Sequence, residues 1–93
     1  MQISEFQQRI RDIYFERDST RGPETTFMWF VEEVGELSRE LRRGDDSRRE
    51  EEFSDVLAWL VSLASLYGID MEKAAARYAG GCPKCRRTPC GCD

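Results

Sequence analysis

The sequence predicts an all-α fold, an antiparallel bundle of about four helices followed by a short cysteine-rich tail. Three observations predict it. Apolar residues recur at spacings of three and four along successive stretches. Each stretch opens near a residue suited to capping a helix and closes near a glycine or a polar turn. No segment alternates apolar and polar residues with the period of a strand.

Ile3, Phe6, Ile10, Ile13 and Tyr14 make the stripe of the first helix, with Ser4 and Gln7 spaced as a capping box. This helix is expected to end near Asp18, with Ser19 to Pro23 as a turn. A second helix begins around Thr25 or Thr26, runs along Phe27, Phe30, Val31, Val34, Leu37 and Leu41, and stops at Gly44. Ser47 with Glu50 is spaced to open a third helix that reaches Tyr67. Its core face is Phe53, Val56, Leu57, Leu60, Ala64 and Tyr67. Asp70 can cap a short fourth helix from Met71 to about Tyr78, after which Gly80 and Gly81 break into the tail. The expected division is therefore a helical domain over residues 1–80 and a tail over 81–93.

A chain of 93 residues is one small domain. Its stripes are too broad for one small monomer to bury, which predicts a homodimer or homotetramer. The net charge of −4 argues against general affinity for nucleic acid polymers or an anionic membrane. The longest mostly apolar stretch, Val56 to Tyr67, contains Ser62 and Ser65 and is too short to span a bilayer. The opening MQISEFQQRIRD is broken by charge and does not resemble a signal peptide, so a cytoplasmic setting is expected. Histidine is absent, which excludes His-dependent triads, HExxH zinc sites and the Glu-x-x-His pairs of di-iron bundles.

Two acidic pairs hold the chemical signal. Glu33 and Glu36 are three apart on the second helix, and Glu52 and Asp55 are three apart on the third. Residues at that spacing share a helix face. Both pairs lie at the margin of an apolar stripe, and a short loop makes the two helices antiparallel neighbours. Four carboxylates gathered at one point repel one another unless a cation lies between them. Oxygen-only donor sets select hard divalent ions, Mg²⁺ or Mn²⁺. With 18 acidic residues in 93, four chosen positions are all acidic by chance about once in a thousand. A scan over many gaps therefore finds such spacing by accident, and the placement on two adjacent helices is what gives it weight.

The segment WFVEEVGELSREL, followed by EEFSDVLAWLVSLASLYGID, resembles the MazG family of nucleoside triphosphate pyrophosphohydrolases. The resemblance runs from about Phe27 to Arg77 and includes the EExxE and ExxD motifs. It implies an all-α, metal-dependent enzyme that cleaves nucleotides between the α and β phosphates, releasing a monophosphate and pyrophosphate. Glu33, Glu36, Glu52 and Asp55 fall on the family's metal ligands, and Glu32 on the first Glu of EExxE. The implied cofactor is Mg²⁺, with Mn²⁺ as a substitute, and Glu33 or Glu36 is expected to assist deprotonation of the attacking water.

Trp59 follows Asp55 by four residues and Trp29 precedes Glu33 by four, so either ring can stack on a nucleobase or serve as core. Trp59 is the stronger candidate for the base. Arg77 matches a basic residue common in MazG-like chains. The Asn that often follows is replaced here by Ala79, Gly80 and Gly81. Arg42, Arg43, Arg48 and Arg49 can meet phosphates or simply face solvent.

Cys82, Cys85, Cys90 and Cys92 supply four thiols within eleven residues, enough for tetrahedral Zn²⁺. Merely reduced thiols, an iron–sulfur site or a redox role stay open beside zinc. The functional expectation is a Mg²⁺-dependent nucleotide pyrophosphohydrolase. Its rivals are a helical zinc-containing regulatory or scaffold protein without catalytic activity, and a metal-storage or redox protein built on the cysteines.

Overall fold

A computed structural model describes all residues, 1–93, as four helices: α1 (Ile3–Arg21), α2 (Pro23–Arg43), α3 (Asp46–Leu66) and α4 (Met71–Ala76). The all-α expectation holds. α2 and α3 form the antiparallel hairpin, and α3 is central because α1 lies against its other side. The short α4 folds back onto the start of α1, where its Glu72 accepts the Ser4 backbone N–H at 2.9 Å.

The helix ends differ from expectation, and local chemistry explains each difference. α1 continues three residues past Asp18. Thr20 Oγ1 bonds back to the Glu16 carbonyl at 3.1 Å, and Arg21 pairs with Asp18 at 3.0 Å. The expected five-residue turn shrinks to Gly22, which ends α1 through its N–H to the Asp18 carbonyl. Gly22 has φ +89°, a conformation that L side chains resist, and Pro23 then starts α2 with its φ already helical. Neither expected capping box forms. Glu5, not Gln7, accepts the N–H of the cap residue Gln2, at 3.1 Å. Asp45, not Ser47, caps α3 by accepting the Arg48 N–H at 2.9 Å. The expected Asp70 cap of α4 does form, onto the N–H groups of Glu72 and Lys73, and the helix stops two residues before Tyr78.

Gln7 instead turns inward and is buried. Its Nε2 donates to Ser65 Oγ at 3.0 Å and to the Ile69 carbonyl at 2.9 Å, while Oε1 accepts the Met71 N–H at 2.9 Å. One side chain thus ties α1 to the end of α3 and to the start of α4. At the hairpin tip, Arg49 donates to the Glu40 carbonyl at 3.2 Å and Arg48 approaches the Glu40 carboxylate at 3.8 Å. These arginines hold the α2–α3 connection.

The apolar interior is small. Ile10 and Val61 are the buried hydrophobic residues, while Phe27, Val31, Val34 and Leu41 of α2 and Phe53 and Leu57 of α3 stay about half exposed. The radius of gyration is 15.4 Å, against about 12 Å for a compact domain of this length. The accessible surface of 7110 Å² exceeds by about 1,600 Å² what a compact monomer of this mass exposes. A hairpin with one helix at its side covers only part of each broad stripe. No helix is long and apolar enough to cross a membrane.

Candidate functional site

The hairpin brings three of the four predicted carboxylates together. Glu33 from α2 and Glu52 and Asp55 from α3 place one oxygen each within 4.8 Å of one another. The three-residue spacing puts Glu52 and Asp55 on one face of α3, and the antiparallel pairing aims that face at Glu33. Partial burial raises the proton affinity of Glu33 above the ordinary glutamate value, and the charges of Asp55 and Glu52 raise it further. Glu52 Oε2 is buried with no hydrogen-bond partner. A carboxylate oxygen in that condition needs a proton or a cation. The donor set is all oxygen, which fits Mg²⁺ or Mn²⁺.

Glu36 is one turn further along α2 and pairs with Arg39 at 2.9 Å. Its charge still adds to the negative field on Glu33. Glu32 is exposed on the outer side of α2.

A cleft of about 160 Å³ opens between α1 and α3 beside Asp55. Trp59 forms one wall, and Tyr14, Arg17, Asp18 and Arg21 of α1 form the other. Asp18 is only 3% exposed. The Arg21 guanidinium lies 5.0 Å from the Trp59 ring centre, and Trp29 stacks on Trp59 with ring centres 6.3 Å apart and planes inclined by 17°. An aromatic wall, two cations and a carboxylate cluster thus share one edge of the bundle.

A family model for the MazG nucleotide pyrophosphohydrolase domain matches residues 21–85, more than half of the chain. The chain belongs to the MazG family. No curated protein matches it as a relative.

The MazG match spans the whole α2–α3 hairpin and therefore all four predicted acidic residues. It stops short of most of α1, which supplies Tyr14, Arg17 and Asp18 to the cleft. Sequence reasoning missed these cleft residues. The Asp18 and Arg21 spacing of three was the available signal, obscured because Ser19 to Pro23 read as a turn. Trp59 and Trp29 do lie beside the carboxylates, as their spacing predicted. Arg77 does not. It sits past the end of α4, its guanidinium 5.8 Å from the Tyr78 ring centre. α3 runs eleven residues, about 16 Å, from Asp55 to its end before the chain reaches α4.

A second metal-capable group lies in the tail of this MazG chain. The Sγ atoms of Cys82, Cys85, Cys90 and Cys92 all fall within 4.8 Å of one another, and all four cysteines are free. Backbone N–H groups of Cys85 and Lys84 hold the Cys82 thiol down to about 6, whereas hydrogen bonds with Cys90 and the other sulfurs push Cys92 up to about 11.

Proposed function

We propose that this MazG chain hydrolyses nucleoside triphosphates, or related nucleotides, between the α and β phosphates to a monophosphate and pyrophosphate. Family membership supports nucleotide pyrophosphohydrolase chemistry. The observation that supports this site is the cluster of Glu33, Glu52 and Asp55, with one orphaned oxygen on Glu52, at the mouth of a cleft walled by Trp59.

Glu33, Glu52 and Asp55 would hold Mg²⁺, with Mn²⁺ as a substitute, and Glu36 would join by leaving Arg39. When bound, the ion supplies Lewis-acid neutralisation of phosphate charge and acidifies nearby water. The chain's own groups do the rest. Trp59, backed by Trp29, offers a flat apolar wall for the base. Arg17 and Arg21 face the cleft and offset phosphate charge as it draws near the carboxylates. Glu33 or Glu36 accepts the proton of the attacking water, and no side chain forms a covalent bond to phosphorus.

The helical domain over residues 1–80 would work as a homodimer or homotetramer. The excess surface and the half-exposed Phe27, Val31, Val34, Phe53 and Leu57 favour a second copy as the cover for the hairpin. The compartment in this reading is the cytoplasm. A second reading, a zinc-containing helical scaffold without catalysis, is favoured by the four clustered cysteines alone.

A panel of nucleoside triphosphates assayed for pyrophosphate and monophosphate, with Mg²⁺ or Mn²⁺ and without, tests the proposal. Pyrophosphate release that needs the divalent ion and falls at least about 100-fold in Asp55→Asn is expected. No turnover of any triphosphate by folded protein with either ion would leave the scaffold reading standing.

A further inference from the structure

The MazG chemistry leaves the C-terminal segment unused, although that segment gathers four cysteine sulfurs within 4.8 Å of one another. We propose that Cys82, Cys85, Cys90 and Cys92 bind one Zn²⁺ ion in a tetrahedral thiolate site that fixes the tail, separate from the carboxylate site of the hairpin.

Backbone geometry assembles the four sulfurs. The turn Cys82-Pro83-Lys84-Cys85 closes when the Arg86 N–H bonds to the Cys82 carbonyl at 2.7 Å. The Cys82 N–H reaches the Arg87 carbonyl at 3.0 Å, so the chain doubles back on itself. Gly81 makes that crossing feasible. Its φ is +105°, and a Cβ there would lie 2.8 Å from Thr88 Oγ1 and 3.0 Å from the Arg87 carbonyl oxygen. The returning segment then delivers Cys90 and Cys92 beside Cys82.

The sulfur separations match a metal-centred tetrahedron. Zinc–thiolate bonds of about 2.3 Å place neighbouring sulfurs roughly 3.8 Å apart. Here Cys82 Sγ is 3.7 Å from Cys92 Sγ and 3.6 Å from Cys90 Sγ. Backbone donors also aim at sulfur, with the Gly91 N–H 3.3 Å from Cys85 Sγ and the Cys92 N–H 3.3 Å from Cys90 Sγ. Such outer contacts support thiolates that ligate a metal. Four thiolates around Zn²⁺ leave a net charge of −2, and Lys84, Arg86 and Arg87 in the same loop offset it.

Beyond these hydrogen bonds the segment has no apolar core to hold its shape, because none of residues 81–93 is buried. A cross-link through metal supplies what the missing core cannot. Each thiol gives its proton to solvent on binding, up to four per Zn²⁺, and no oxidant takes part. Soft sulfur donors here and hard oxygen donors on the hairpin select different ions.

Full-length chain without an affinity tag, purified in reducing buffer, is to be measured for metal by mass spectrometry. One zinc per chain is expected, falling below about a tenth in Cys82→Ser/Cys85→Ser with helix content by circular dichroism unchanged. Co²⁺ added to stripped wild-type chain is expected to give the sulfur-to-cobalt charge-transfer bands of a tetrahedral thiolate site. Glu52→Gln should keep full zinc, so the outcome does not depend on pyrophosphohydrolase activity. Zinc far below one per chain, iron in its place, zinc retained by the double variant, or cobalt without thiolate bands would overturn the assignment.

Discussion

Replacing Glu52 with Gln should stabilise the metal-free protein while removing its response to Mg²⁺. The charged oxygens of Glu33, Glu52 and Asp55 lie within 4.8 Å of one another. At that distance two like charges repel by about 0.9 kcal/mol in water and by about 3.5 kcal/mol at an effective dielectric of 20. Asp55 is exposed and the two glutamates only half-buried, so about 1 kcal/mol per pair is the appropriate scale. Glu52→Gln relieves two such pairs and replaces a partnerless buried oxygen with an amide that can donate to Glu33. The melting temperature in chelator should therefore rise by roughly 8–16 °C, for about 2 kcal/mol at 4–8 °C per kcal/mol. Mg²⁺ at a hundred times its dissociation constant stabilises wild type by about 2.7 kcal/mol, and the variant should lose this gain. Thermal unfolding followed by circular dichroism, with chelator and with excess Mg²⁺, should show the order of the two proteins invert. A variant that melts lower than wild type in chelator, or gains as much from Mg²⁺, would refute the metal-site reasoning.

The same cluster predicts a pH dependence. Burial and the neighbouring Asp55 and Glu52 charges raise the Glu33 pKa above 4.5, so folded metal-free protein holds that proton more tightly than unfolded chain. Its contribution to stability is present at low pH and is lost as pH climbs through the raised value. Mg²⁺ needs the ionised form, so its stabilising increment should be larger at pH 7 than at pH 5, and Glu33→Gln should flatten the difference. Gln7→Ala removes three hydrogen bonds and orphans Ser65, Ile69 and the Met71 N–H. A loss of about 1–3 kcal/mol is expected. Hydrogen exchange should quicken most around Met71, with the Mg²⁺ increment unchanged. Phe27→Asp with Phe53→Asp should shift the sedimenting species to the 10.8 kDa monomer if the half-exposed hairpin stripe is covered by a second copy.

Periodicity was enough to find every helix, since each stripe repeats over several turns. The acidic pairs were legible for the same reason, because spacing on a helix translates directly into direction. Helix ends were not. Asp45 and Ser47 are both good caps in isolation, and only the path of the hairpin loop decides between them. Likewise Gln7 looked like half of a capping box because nothing local reveals that Ser65, Ile69 and Met71 will surround it. Glu36 shows the limit of face arguments. It shares a face with Glu33, yet its carboxylate turns to the guanidinium of Arg39, three residues on, at 2.9 Å. The α1 wall of the cleft depends on how that helix swings back at Gly22, a long-range outcome that no spacing encodes.

The stacked indoles have a practical consequence. Trp29 and Trp59 are the chain's entire complement of tryptophan, one on each arm of the hairpin, each four residues from a carboxylate of the cluster. Near-ultraviolet emission and coupled dichroism from this couple therefore report on a single place. Any rearrangement that changes how far the two arms stand apart, whether ion uptake or a purine or pyrimidine sliding between Arg21 and the ring, becomes an intrinsic optical signal that needs no dye.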